Sequence, residues 1–99
     1  MGVALKKDGT DSVIISVSGR FDFSFHKEFR EAYKETESAQ HVVVDMSATE
    51  YIDSSALGML LLLREHTGSG GDGIEISGCN DSIKKVLILS KFDKMFTIK

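Results

Sequence analysis

Val42-Val43-Val44-Asp45-Met46, followed after a short polar gap by Ser54-Ser55-Ala56-Leu57-Gly58-Met59-Leu60-Leu61-Leu62-Leu63, decides the fold. The first run is β-branched and continuous, the pattern of a central parallel strand buried on both faces, and it predicts a strand over His41–Met46. The second is too long and too rich in Leu and Met for a strand, and it predicts a helix from Ser54 to about His66. Helix breakers follow it at Thr67-Gly68-Ser69-Gly70-Gly71-Asp72-Gly73. A buried strand feeding a helix is half of a crossover unit, and the flanks supply the rest.

Upstream, Val3–Lys7 and Val13–Val17 read as two strands joined around Asp8-Gly9, a dipeptide suited to the positive backbone angle of a tight turn. Val13, Ile15 and Val17 share one face of the second strand. The period then changes to four, with Phe21, Phe25, Phe29 and Tyr33 separated by charged residues, which predicts an amphipathic helix over about 24–38 with Asp22 or Ser24 as its cap. Downstream, Ile74-Glu75-Ile76 is a strand, Asn80 or Asp81 caps a third helix bearing Ile83, Val86 and Leu87, and Phe96-Thr97-Ile98 closes the sheet. The expected fold is α/β: a single small domain over residues 1–99, whose N-terminal β-hairpin leads into a mixed, mostly parallel sheet of four to five strands. About three main helices pack on it.

Composition narrows the function. The 99 residues carry 12 Lys and Arg against 15 Asp and Glu, a net charge of -3 with no basic stripe, which argues against nucleic acid as a partner. The single Cys79 has no partner for an internal disulfide and reads as a small hydrophobe. The N-terminus lacks the long apolar run of a signal peptide, and Met59–Leu63 is far shorter than the ~20 residues that cross a bilayer, so a cytoplasmic location without membrane insertion is expected. His26, His41 and His66 have no ligand spacing, the glycine-rich run follows a helix rather than preceding one, and Ile52-Asp53-Ser54-Ser55-Ala56 is not a Gly-x-Ser-x-Gly elbow. No metal, cofactor, small-molecule substrate or enzymatic activity is expected.

The polar head of the second helix remains. Asp53-Ser54-Ser55 reads either as an N-cap or as a site for a phosphate facing the free amides and the positive end of the helix dipole. At 100° per residue Leu57, Met59, Leu60 and Leu63 cluster on one side, whereas Ser54, Ser55, Gly58, Leu62 and Glu65 share the other and should face out. Gly58 costs an exposed helix ~1 kcal/mol against Ala, so either a docking protein or a neighbouring strand approaches closely there. A phosphate of about -1.5 to -2 charge within such a contact would oppose binding. Glu65, Asp53 and Asp22, if near one another, make the patch acidic and call for Arg or Lys on the partner.

These residues resemble the STAS family, the anti-sigma factor antagonists of bacterial partner-switching systems. The resemblance runs through Gly19-Arg20-Phe21-Asp22, Val42-Val43-Val44-Asp45-Met46, Tyr51-Ile52-Asp53-Ser54-Ser55-Ala56-Leu57-Gly58, and Val86-Leu87 to Phe96. It implies a non-enzymatic module that binds an anti-sigma factor of the serine-kinase type, is phosphorylated by it with ATP, is restored by a serine phosphatase, and so regulates transcription or a related output. By position it makes Ser54 the phospho-acceptor, sets Asp53 before it, and puts Asp22, Ser55 and Gly58 at or near the partner surface. Ala56 stands where many relatives have Gly. The family also contains non-phosphorylated accessory subunits of transporters and lipid-handling complexes, which is the alternative function.

Overall fold

The computed structural model describes residues 2–9, 12–36, 41–67 and 74–99. Five strands form one sheet: β1 (Val3–Asp8), β2 (Ser12–Phe21), β3 (His41–Ile52), β4 (Ile74–Ser77) and β5 (Thr97–Ile98). Three helices connect them: α1 (His26–Tyr33), α2 (Ser54–Thr67) and α3 (Asp81–Leu89). The strands lie in sequence order, β1 antiparallel to β2 and the rest parallel. This is the mixed, mostly parallel α/β sheet expected from the sequence. Gly9 supports the hairpin turn with φ +79°.

Strand order and crossover hand together decide where the core sits. Each parallel strand is laid down beside the last in the same direction, and right-handed crossovers then bring every helix to one face. Burial follows that geometry: Val13, Ile15 and Val17 of β2, Val42, Val44 and Met46 of β3, and Ile74 and Ile76 of β4 are buried together. Onto them pack Phe29 of α1, Ala56, Met59, Leu60 and Leu63 of α2, and Ile83 and Leu87 of α3.

Among the described residues no helix packs on the opposite face. Ile14, Val43 and Glu75 lie in one register row across β2, β3 and β4, and all three are only half-buried. The expectation that Val42-Val43-Val44 is buried on both faces is therefore corrected: β-branched side chains suit a pleated, half-buried surface as well as a fully buried one.

Two elements differ in extent from the sequence expectation. α1 is a short α-helix flanked by 3-10 turns at Phe23–Phe25 and Lys34–Thr36, and expected helix positions 37–38 lie outside the described residues. Phe21 belongs to the end of β2, yet its ring still meets Phe29 at 5.1 Å and Phe25 at 6.3 Å, so the four-residue aromatic period reports packing that continues across an element boundary. β3 runs on from Met46 to Ile52. The expected loop after Thr67 falls on positions 68–73, also outside the described residues.

The extension of β3 rests on two register shifts. Ser16 pairs with Asp45 and Ser18 with Ala48; then Gly19 pairs with Thr49 and Arg20 with Tyr51. β3 thus takes one extra residue at each step, the signature of a bulge, which re-aims side chains and bends the strand. Thr49 is buried as a result, and its hydroxyl donates to the Val17 carbonyl at 2.7 Å. Gly19 meets the bend with φ +84°. Among the described residues no helix is long and apolar enough to cross a membrane.

Candidate functional site

The bulges set the heights at which β2 and β3 end. Phe21 pairs with Ile52, so Asp22 and Asp53, each one residue further on, leave the sheet side by side at the carboxyl ends of neighbouring parallel strands. Open α/β sheets commonly present their binding residues at that end.

Asp53 forms the head of α2. Its Oδ1 accepts from the Ala56 amide at 3.1 Å, and its carbonyl accepts from the Ala56 amide at 3.1 Å and the Leu57 amide at 3.4 Å. Asp53 is thus the N-cap, and Ser54 is the first helical residue. Of the three residues Asp53-Ser54-Ser55 that read as an N-cap, the Asp53 carboxylate is the one that takes the amide. Among the described residues Ser54 Oγ makes no hydrogen bond, and the residue is exposed.

Further along α2, Ala56, Met59, Leu60 and Leu63 are buried, whereas Gly58, Leu62 and Glu65 are exposed with Ser54. Ser55 and Leu57, at the flanks of the two arcs, are half-buried. An added Cβ on Gly58 would meet nothing within 4 Å, which removes the tight-strand explanation for this glycine. The fold does not need Gly58; only an approach from outside would.

Asp22 is held by its own loop. Its Oδ1 accepts from the Ser24 hydroxyl at 2.5 Å and the Ser24 amide at 2.9 Å, capping the 3-10 turn at Phe23–Phe25. The Ser24 hydroxyl is the largest cause that pulls the Asp22 carboxyl below the ordinary aspartate value; the Ser24 amide adds to it and Arg20 contributes less. Arg20 Nε lies 4.0 Å from Asp22 Oδ2, and its guanidinium stacks over the Tyr51 ring at 4.4 Å. Arg20 therefore joins the ends of β2 and β3 on this acidic surface.

Three exposed apolar residues of this end were not anticipated from the sequence. Phe23 is 66% exposed and stacks on His26, Tyr51 is 43% exposed, and Leu61 joins the outward arc of α2. The signals were present: Phe23 falls off the four-residue period that buries its neighbours, and Leu61 lies about 20° from Ser54 around the helix.

Of the other chemical candidates, His26 opens α1 against Phe23, His41 opens β3, and His66 packs on Tyr33 at 5.1 Å. Cys79 is half-buried with its Sγ 3.9 Å from Met46 Sδ, and burial pushes its thiol pKa up, so the protonated and less nucleophilic form prevails at neutral pH.

Comparison with known proteins agrees with this architecture. The family model described as "Mlab, STAS domain" matches residues 4–98. A STAS-domain containing protein of Pseudomonas aeruginosa (strain UCBPP-PA14) is 41% identical over 96 residues, 96% of this chain and 95% of that one. An anti-sigma factor antagonist from Mycobacterium paratuberculosis has the same fold, with TM-score 0.82 and 23% identity over 97% of this chain and 82% of that one. The phosphorylated form of the Bacillus cell fate determinant SpoIIAA aligns with TM-score 0.67 and 15% identity, covering 98% and 90% of the two chains. With a family match running from the first strand to the last and substantial identity along nearly the whole length, the chain belongs to the STAS-domain family.

Proposed function

We propose that this protein is an anti-sigma factor antagonist that binds an anti-sigma factor with serine-kinase activity and is released when Ser54 is phosphorylated. The observation that carries the reading is the division of labour at the head of α2: Asp53 caps the helix, and Ser54 is left exposed with an unengaged hydroxyl. Capping does not account for this serine. In the kinase complex Ser54 Oγ attacks the γ-phosphorus of ATP, ADP departs, and the hydroxyl proton passes to a base on the kinase. A serine phosphatase hydrolyses the ester and restores the binding form.

The contact surface comprises Ser54, Ser55, Gly58 and Leu62 on α2 with Asp22 and Asp53 at the strand ends. Leu62 supplies apolar area, Gly58 admits close approach, and the carboxylates favour a partner with Arg or Lys. A phosphate here meets the positive end of the α2 dipole, so the fold tolerates it, while its charge beside Asp53 opposes an interface already acidic on this side. The domain acts by binding, in the cytoplasm, and its output is transcription or a related process.

Incubation of the protein with its cognate kinase and ATP tests this. One phosphate per chain is expected by intact mass, absent in Ser54→Ala, with Ser54→Asp weakening the complex and Ser54→Ala holding it. Label that persists in Ser54→Ala moves the switch elsewhere. Recovery of a transporter ATPase and no kinase, with Ser54 unmodified in every growth state, would instead establish a constitutive accessory subunit.

A further inference from the structure

The outer side of α3 carries apolar surface far from what the core requires. Its inner side, Ile83 and Leu87, is fully occupied by the core. Leu89 nevertheless stands 72% exposed and Ile88 45%, on a helix of only nine residues. Scattered exposed apolar residues need no explanation, but adjacent ones on a single helix face form a patch.

The patch has a basic border. Lys84 precedes Ile88 by one turn and Lys85 precedes Leu89 by one turn, and Asp81, Lys84, Lys85, Ile88 and Leu89 line one shallow, mainly apolar cleft of about 300 Å³. Exposed Lys91 and Lys94 follow. In a chain of net charge -3 the stretch 81–94 holds four Lys against Asp81 and Asp93, so the local charge is opposite in sign to that of the whole protein.

We infer that this face of α3 docks an acidic amphipathic segment of a partner protein, its apolar side chains on Ile88 and Leu89 and its carboxylates on Lys84 and Lys85. Charge selects this occupant. A second copy of the chain packed face to face would bring the same lysines together, which costs binding energy. An anionic bilayer would satisfy the lysines but would also meet Asp81, which lines the cleft; a peptide can place its carboxylates only where the lysines are. Amphipathic segments laid into apolar clefts with opposite charges at the rim are a recurrent mode of recognition.

The experiment places a photoreactive benzoyl-phenylalanine at Leu89 in the full chain, expressed at native level in its own cells. After irradiation, the cross-linked segment is sequenced by mass spectrometry. The expected adduct is to a protein segment in which apolar residues are interspersed with Asp and Glu. Lys84→Glu with Lys85→Glu in the same chain is expected to lower its yield about tenfold, while the thermal unfolding curve shows that the exposed substitutions leave the fold intact. An adduct to a second copy, to lipid, or to a segment without acidic residues overturns the proposal. So does the absence of any adduct, or a yield that ignores the charge reversal.

Discussion

Removing the Asp53 carboxylate frees the Ala56 amide at the start of α2, whereas removing the Ser54 hydroxyl frees nothing. Asp53→Ala is therefore expected to cost about 0.5–2 kcal/mol in urea unfolding, the range for a lost N-cap. Ser54→Ala should stay within roughly 0.5 kcal/mol of the wild type, as exposed substitutions do. Equal losses in the two variants would mean that Ser54 shares the cap. Asp22 offers a second test. A carboxyl whose folded pKa is lowered adds stability that is present above its unfolded value and is lost as the pH falls through its folded value. Ser24→Ala removes the largest cause of the lowering, so the Asp22 carboxyl resonance should titrate at higher pH in that variant. The stability difference between variant and wild type that arises from this group should close once the solution is acid enough to protonate Asp22 in both. A titration unmoved by Ser24→Ala would assign the lowering to the Ser24 amide and Arg20.

At the scale of elements, two glycines make opposite demands. Gly58 sits mid-helix with open space where its Cβ would be, so Gly58→Ala should stabilise the protein by about 0.5–1 kcal/mol through helix propensity alone. If the proposed partner approaches there, the same variant binds it less well, a gain in stability coupled to a loss of affinity. Gly78, at the exit of β4, has φ +78°, and an added Cβ would fall 2.8 Å from the Ser47 amide nitrogen and 2.9 Å from its Cα. Gly78→Ala must shift backbone, and calorimetry should show a lowered melting temperature and a loss above about 1 kcal/mol. Neither role was legible in the sequence. Gly78 depends on how closely β4 approaches the bulge in β3, and that bulge is hidden because Ser47-Ala48-Thr49-Glu50 breaks the alternation by which a strand is recognised. By contrast, the buried and exposed arcs of α2 were legible, because helical periodicity survives whatever the helix packs against.

For the whole molecule, the order of elements was readable because β-branched runs alternate with helical ones after the hairpin and each parallel connection has room for a helix. The bare face of the sheet was not, since Val42-Val43-Val44 has the same composition whether one face or both are covered. Nor was the meeting of Asp22 with Asp53: they are distant in the chain and are joined only by the register of β2 on β3, which two bulges shift. The motif around Ser54 carried the family, while the surface around it, with Phe23, Tyr51 and Arg20, emerged only from the fold.

An open sheet also has two borders. On one, β1 sets exposed Lys6 and Lys7 along a strand whose outer amides and carbonyls have no neighbour within the sheet; on the other, β5 is only two residues long. Charged side chains discourage a foreign strand from adding to the first border, and the second offers too short a template for one to register. A small protein with an open sheet thereby avoids polymerising through its strands.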